Sequence, residues 1–346
     1  MMIIGCDFHP SWQQVSWLDS ETGETGEQKL VHASGDARRF YQALAGPVLI
    51  GMEATGNSQW FIELVEDLGH EIWVGDAAQI RASYVRKQKT DKRDAAHILK
   101  LVVEGRFPRL WTPNREQRDL RQLVLHRHKL VEIRSRVKNE LQHLSMNTGM
   151  QRKRKLWSQA GQQILRELPL KPWASCRRED LLGLLEMLNR QVGQLDLAVQ
   201  KAAAQNPQAR LLMTQPGVGP NTALAYVLTV GEVSRFPRGK QVASYLGLIP
   251  REESSGGRQK LGAITKQGNR MLRSLLVEAA QIAVRFDPPF RKQYLHRCHQ
   301  KPKAVAKVAA ARKLAVRLYW MLRTQVGYPE IVRIESSPRV PRVGAS

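Results

Sequence analysis

Cysteine is scarce in the 346-residue chain: Cys6, Cys176 and Cys298 lie far apart, are odd in number and match no CxxC spacing. That pattern argues against a disulfide framework and a thiolate zinc site, and it fits a reducing cytoplasm. Long hydrophobic runs are missing too, since no apolar stretch approaches the roughly 20 residues needed to cross a bilayer. The N-terminus runs straight into a strand-like Met2-Ile-Ile-Gly5, and no targeting signal is expected. Acidic residues are few: 31 Asp and Glu stand against 54 Lys and Arg, leaving a net charge of +23 and a pI near 10.4. The basic residues recur along the chain instead of forming one terminal block, which suits a long polyphosphate track better than a membrane patch. Nucleic acid is the expected partner and a membrane is not. Charge alone does not separate an enzyme from a merely basic protein such as a ribosomal subunit.

The chain contains enough apolar residues, 42%, to build real cores, and its length suggests two compact units joined by something extended. Alternation predicts strands at 2–7, 13–19 and 27–33, with a turn at 21–24. A helix near 36–45, a buried strand at 48–52, a helix at 58–68 and a strand at 71–75 follow, then two helical stretches to about Gly105. Three strands followed by alternating helix and strand is the order of an RNase H-like (RuvC-like) α/β domain with a mixed sheet, here expected over 1–110. Pro108 and Pro113 mark its end. Beyond them Leu120, Leu123, Arg127, Leu130, Arg134, Val137, Leu141 and Leu144 step by three and four, and Leu181 to Val199 repeats the rule. Residues 111–205 thus read as a helical segment whose two long helices pair as an antiparallel or intermolecular coiled coil, or pack within one bundle. Between them, Gln151-Arg-Lys-Arg-Lys155 reads as a solvated basic loop. A mainly helical domain is expected over 206–325 and a poorly ordered basic tail over 326–346.

Four acids stand out in the first domain. Asp7 and Glu53 end neighbouring strands, while Asp91 and Asp94 sit three apart on a helix and share a face. Phosphodiester chemistry uses such clusters because hard carboxylate oxygens hold Mg²⁺, and paired ions can clamp the attacking and leaving oxygens. His9 and His97 lie nearby in sequence and are read as surface or capping residues.

In the second domain Pro216-Gly-Val-Gly-Pro-Asn-Thr222 resembles a helix-hairpin-helix, in which Gly217 and Gly219 let backbone amides approach DNA phosphates; an ordinary interhelical turn reads equally well. Downstream, Gly247 to Arg258 is a polar loop carrying Ser254 and Ser255, with Arg251, Arg258, Lys260 and Lys266 available to phosphates and no histidine base close by. Arg270, Arg273, Lys301, Lys303, Lys307, Arg312, Lys313, Arg317 and Arg323 lie on helices as further basic contacts. His296-Arg-Cys-His299 lacks a second ligand pair, so no zinc is expected.

Six motifs, Gly5-Cys-Asp7, Met52-Glu-Ala-Thr-Gly56, Lys89-Thr-Asp-Lys-Arg-Asp94, Pro216-Gly-Val-Gly219, Gly247-Leu-Ile-Pro-Arg251 and Gly268-Asn-Arg-Met-Leu-Arg273, occur in the order found in a known family. The chain resembles the insertion-sequence DEDD transposases of family one-hundred-ten over nearly its whole length, from Met2 to about Gln325. The resemblance implies that Asp7, Glu53, Asp91 and Asp94 are the RuvC-like acids that bind Mg²⁺ and that Ser255 is the nucleophile, forming a phosphoserine link to DNA. It also implies a structured noncoding guide (bridge) RNA that pairs with donor and target DNA. The family's acidic and serine centres come from different subunits, which implies a homo-oligomer, dimer or tetramer, in the bacterial cytoplasm and associated with the nucleoid. The chain departs from the pattern at Pro10, where many relatives carry lysine, and at the adjacent Ser254 and Ser255 with Gly257, so Ser254 stays open as the nucleophile. Two other readings are a junction-resolving nuclease in which Ser255 is structural and a noncatalytic nucleic-acid-binding scaffold.

Overall fold

The computed structural model describes residues 1–84, 90–150, 156–255 and 257–336. The basic loop expected at 151–155, Lys89 of one motif and the end of the expected tail lie outside the described residues. The chain forms two compact units, 1–115 and 116–346.

The first unit is built on a five-stranded sheet of β1 (Met2–Phe8), β2 (Trp12–Asp19), β3 (Thr25–Val31), β4 (Leu49–Glu53) and β5 (Glu71–Gly75). α1 (Asp36–Gln42) precedes β4, α2 (Gln59–Asp67) joins β4 to β5, and α3 (Ala77–Ala82) and α4 (Asp91–Val103) follow. The strand order is β3-β2-β1-β4-β5, with β1–β2 and β2–β3 antiparallel and β1–β4 and β4–β5 parallel. Side chains alternate across a sheet, and this decides where the acids go. Ile4, Cys6 and Phe8 of β1 and Ile50 and Met52 of β4 enter one core with Tyr41 and Phe61. Ile3, Gly5 and Asp7, with Leu49, Gly51 and Glu53, therefore take the other face, where Ile80, Ile98, Leu101 and Val102 of α3 and α4 form a second core.

The close seat of α4 on this face depends on glycine. A Cβ on Gly5 would stand 2.2 Å from the Ala95 carbonyl oxygen and 2.4 Å from the Leu99 amide nitrogen, contacts that no other residue type could accommodate unmoved. Gly51, paired with Gly5 across the strands, leaves the corresponding space for Val102 and Ile98. The helix backbone consequently approaches β1 directly, and its first turn lies at the end of that strand.

The second unit contains α5 (Arg115–Asn147), α6 (Gln159–Arg166), α7 (Pro172–Gln205), α8 (Pro207–Met213), α9 (Pro220–Val230), α10 (Gly239–Tyr245), α11 (Arg270–Phe286), α12 (Pro288–Gln300), α13 (Lys303–Thr324) and α14 (Tyr328–Ser336). A hairpin of β6 (Pro250–Glu252) and β7 (Leu261–Ile264) stands between α10 and α11. The two long helices pair within the chain and antiparallel: Arg127 bonds Asp196, Arg134 bonds Asn189, and Arg177 bonds Glu140. The seam arginines that interrupt the apolar rhythm are thus partners of α7. Val137 and Leu141 meet Leu182, Leu185 and Leu188 in a core of their own. Val124, Val199 and Ala203 belong instead to the main core with α8, α9, α11 and α13.

Two expectations change here. Arg317, read as an available basic contact, is 1% exposed and forms an ion pair with the fully buried Asp287, with Gln215 also in reach. Its place on α13 among Leu314, Ala315 and Leu318 made the charge look solvent-facing only in one dimension. Residues from 326 were expected to trail off, yet α14 forms, buries Ile331 in the main core and is pinned by the Tyr328 amide donating to Thr214 Oγ1 at 2.9 Å.

Candidate active site

The carboxylates come together for reasons already visible in the fold. Strand parity aims Asp7 and Glu53 at the α4 face, the parallel pairing of β1 with β4 puts them on adjacent strands, and the glycine seat brings the first turn of α4 over them. Thr90 caps α4 by accepting from the Arg93 amide, and Asp91 and Asp94 fill the first turn, where the helix dipole favours negative charge.

Asp7 is half-buried and Asp94 is 4% exposed, whereas Asp91 faces solvent. Burial raises the Asp7 carboxyl above its ordinary pKa; His9 opposes the shift, and Asp94 and Asp91 add to it. His9 Nε2 lies 3.2 Å from Asp7 Oδ2 and 3.8 Å from Asp91 Oδ1, and the ring stacks on Trp12 with centroids 4.1 Å apart. Ligand atoms of Asp7, His9 and Asp91 fall within 4.8 Å of one another, close enough for one cation. Tyr84 donates to Asp94 Oδ1 at 2.7 Å and stacks on His97, whose Nε2 lies 2.8 Å from Ser83 Oγ. Burial, followed by the bond to Asp94, pushes the Tyr84 phenol well above its usual pKa, so it stays a donor. A carboxylate accepting one hydrogen bond retains lone pairs for a cation. This hard-oxygen donor set fits a divalent metal.

Sequence reasoning set His9 and His97 aside and did not single out Tyr84. His9 carried a signal: it stands two residues after Asp7, so the alternation that aims Asp7 toward α4 continues to His9. Tyr84 carried none, because its bond to Asp94 is a contact between residues ten positions apart that no local pattern reveals.

In the second unit the β6–β7 hairpin carries Ser254 and Ser255 at its tip, where Ser255 bridges Arg258 and the Arg258 amide donates to the Ser255 carbonyl at 3.1 Å. Ser254 Oγ donates to Glu252 Oε1 at 2.8 Å and accepts from the Lys260 amide at 3.1 Å, so it braces the hairpin. The exposed Ser255 hydroxyl makes no hydrogen bond among the described residues. Arg251, Arg258 and Lys260 are exposed on the same hairpin, with Lys260 Nζ 3.5 Å from Glu253. Lys266 and Arg270 are exposed at its base. Arg273 there is occupied with the Leu246 and Gln267 carbonyls. Lys307, Arg312 and Lys313 are half-buried on α13, and Lys313 lies over the Phe290 ring.

At the expected helix-hairpin-helix turn, Gly219 is exposed and begins α9. Gly217, at φ +87°, has a packing duty that the phosphate reading did not anticipate: a Cβ there would meet the Ala279 carbonyl oxygen of α11 at 2.4 Å. No described helix is long and apolar enough to cross a membrane.

Residues 4–145 match a transposase family designated DEDD_Tnp_IS110, and residues 209–295 match the family described as Transposase IS116/IS110/IS902. A probable family 20 transposase of Pseudomonas aeruginosa is 30% identical over 332 residues, covering 92% of this chain and 96% of its own length. The transposase for insertion sequence element IS1111A of Coxiella burnetii is 28% identical, over 82% of this chain and 78% of its own. A pilin gene-inverting protein of Moraxella bovis is 27% identical, over 68% of this chain and 67% of its own. With both units represented in these matches, the chain belongs to the IS116/IS110/IS902 family of insertion-sequence transposases, enzymes that cut and rejoin DNA.

Proposed function

We propose that this transposase cuts and rejoins DNA through a covalent serine link, using Mg²⁺ held by an RNase H-like DEDD domain and taking sequence choice from a guide RNA. The observation that carries the reading is the convergence of strand ends and helix start that gathers acids around Asp7, Asp91 and Asp94. Asp7, Glu53, Asp91 and Asp94 are the residues that would hold Mg²⁺, which supplies charge neutralisation at phosphate oxygens when bound. The strand order β3-β2-β1-β4-β5 supports the RNase H-like assignment.

Ser255 is the better nucleophile of the adjacent pair, because its hydroxyl is exposed and makes no hydrogen bond among the described residues while Ser254 braces the hairpin. Its Oγ forms a bond to a backbone phosphorus as one DNA P–O bond breaks. The serine proton is given up, and the leaving strand end takes a proton to become a free hydroxyl. Reversal by a hydroxyl on an exchanged strand rejoins the DNA without external energy. Arg251, Arg258, Lys260 and Lys266 offset the phosphate charge, and Gly217, Gly219, Arg270, Arg273, Lys307, Arg312 and Lys313 contribute to nucleic-acid binding. The pilin gene-inverting name of one relative supports recombination over simple hydrolysis, since inversion requires rejoining. The net charge of +23 suits a load of donor DNA, target DNA and RNA together, carried by a homo-oligomer.

The test is to incubate the purified protein with Mg²⁺, its element-encoded RNA and matching supercoiled DNA, and to map any covalent adduct by mass spectrometry. An adduct on Ser255 that vanishes in Ser255→Ala, and persists in Ser254→Ala, is expected. Nicked DNA without adduct, made equally by Ser255→Ala, would establish a hydrolytic nuclease instead.

A further inference from the structure

The second unit holds a cavity of about 240 Å³ that the cutting chemistry does not use, enclosed by α5, α9, α10 and the start of α11. Arg121, Leu125, Thr229, Tyr245, Asn269 and Met271 form the parts of its wall that matter. Three features distinguish it from a packing gap. Its walls are mixed, combining an aromatic ring, aliphatic side chains, a carboxamide and a guanidinium. Its mouth is open enough to leave Leu125 45% and Tyr245 40% exposed. Its polar parts are held in place beforehand.

That fixing comes from the end of α9. The last carbonyls of a helix have no partner within it, and here side chains supply them. Arg121 donates to Leu228, the Tyr245 hydroxyl to Thr229 and Arg235 to Val230. Tyr245 is further packed against Phe236, with centroids 5.4 Å apart, and the Arg235 guanidinium lies 4.9 Å from its ring centroid. Asn269 accepts from the Leu272 amide and donates to Thr229 Oγ1. Aromatic and polar groups therefore enter the site already oriented, so a ligand would not have to order them.

The surroundings indicate the ligand. Lys266 and Arg270 flank Gly268 and Asn269 at the mouth, both exposed, Arg270 by 88% of its side chain even with its guanidinium 3.7 Å from Glu132 Oε1. The chain segments that make the rim are also those from which the serine hairpin rises: the Gly247 carbonyl accepts from the Lys266 amide, and Gly268 lies against the Tyr245 carbonyl. The hairpin tip at Ser255 lies eight residues beyond Gly247, up to roughly 27 Å at the usual rise. A flat π system with polar edges, attached to an anionic backbone that runs on toward the serine, matches these walls, this rim and this spacing.

We propose that the cavity receives one unpaired nucleobase of the DNA strand being exchanged, stacked on Tyr245, with its flanking phosphates at Lys266 and Arg270. Strand exchange necessarily leaves nucleotides unpaired beside a break, and seating one of them sets which phosphate reaches the hairpin. The inference rests on the second unit handling DNA, not on Ser255 being the nucleophile. Base stacking on an aromatic side chain tolerates any base, so the pocket sets position and not sequence.

Two measurements test it with the full-length protein. Single-stranded oligonucleotides carrying one abasic site at successive positions are expected to bind about tenfold more weakly when the abasic site takes one particular position. 5-Iodouracil at that same position should photo-crosslink to Tyr245 or Met271. Leu125→Trp, which fills the mouth without touching the α9 carbonyls, should weaken binding by a similar factor while leaving the thermal midpoint unchanged. Uniform affinity across the abasic series, or crosslinks confined to other residues, would overturn the pocket while leaving DNA handling intact. Absence of binding by the wild-type protein would overturn the nucleic-acid reading of this unit and the pocket with it.

Discussion

Asp7 is held by its surroundings in a state that the protein alone does not favour, because burial and two neighbouring acids oppose its ionisation. Its folded carboxyl takes up a proton more readily than the unfolded chain does. Stability from this source is present below the ordinary carboxylate range and is lost as pH rises through the raised folded value. In Asp7→Asn, metal-free protein should therefore melt above wild type at about pH 7 and at the same temperature near about pH 3, as read by calorimetry. DNA cutting should fall at least about a hundredfold, since a lost charge-stabilising group in an active site typically costs that much. In the proposed metal site Tyr84 would act through Asp94, so Tyr84→Phe should weaken divalent-metal affinity by about 10- to 100-fold, the usual cost of removing a ligand's supporting bond, without unfolding the unit. Unchanged affinity in a titration followed by thermal shift would remove Tyr84 from that role.

Between elements, contacts that sequence periodicity cannot express decide the outcome. The seat of α4 on β1 predicts that Gly5→Ala, whose new methyl would meet the Ala95 carbonyl, destabilises the first unit by about 1–3 kcal/mol in urea denaturation. Arg317→Met strands the buried Asp287 and should cost about 3–5 kcal/mol in the second unit. These two sites also mark what could be read in advance. The five strands and their mixed sheet were legible, and alternation in β1 and β4 puts Asp7 and Glu53 on one face of adjacent strands. Asp91 and Asp94 were legible as a helical pair. Arg317 was misread, since nothing local to α13 reveals that Asp287, thirty positions away, closes on it. The pairing of α5 with α7 was left open between an antiparallel or intermolecular coiled coil and a bundle, and within this chain the Arg127–Asp196 and Arg134–Asn189 contacts join the two helices antiparallel. The helix α14 does carry a helical apolar pattern, Tyr328, Ile331 and Val332, which pack on the main core, and the reading of 326–346 as a basic tail passed over it.

For the whole molecule, the excess of 54 basic over 31 acidic residues makes binding a matter of counterion release as much as of contact. Affinity for unrelated duplex DNA should drop by about 10³ or more between about 50 and 200 mM salt if six or more phosphates are neutralised. A flat salt profile would argue that the charge serves some other end. The reach of the long hairpin has a different origin. From Arg127 to Arg134 on α5 is seven residues, and so is the step from Asp196 back to Asn189 on α7, so the two arms advance by one matched heptad here, whereas on toward Glu140 and Arg177 the steps are six and twelve residues. Each matched heptad adds about 10 Å to a hairpin whose longer arm spans about 50 Å. Removing seven residues from both arms keeps the same pairs in contact, whereas removing seven from one arm keeps the face but slides every pair beyond the deletion by about 10 Å. Over that stretch the length of the hairpin is therefore set in whole turns of helix, with the Arg127–Asp196 and Arg134–Asn189 contacts as its marks.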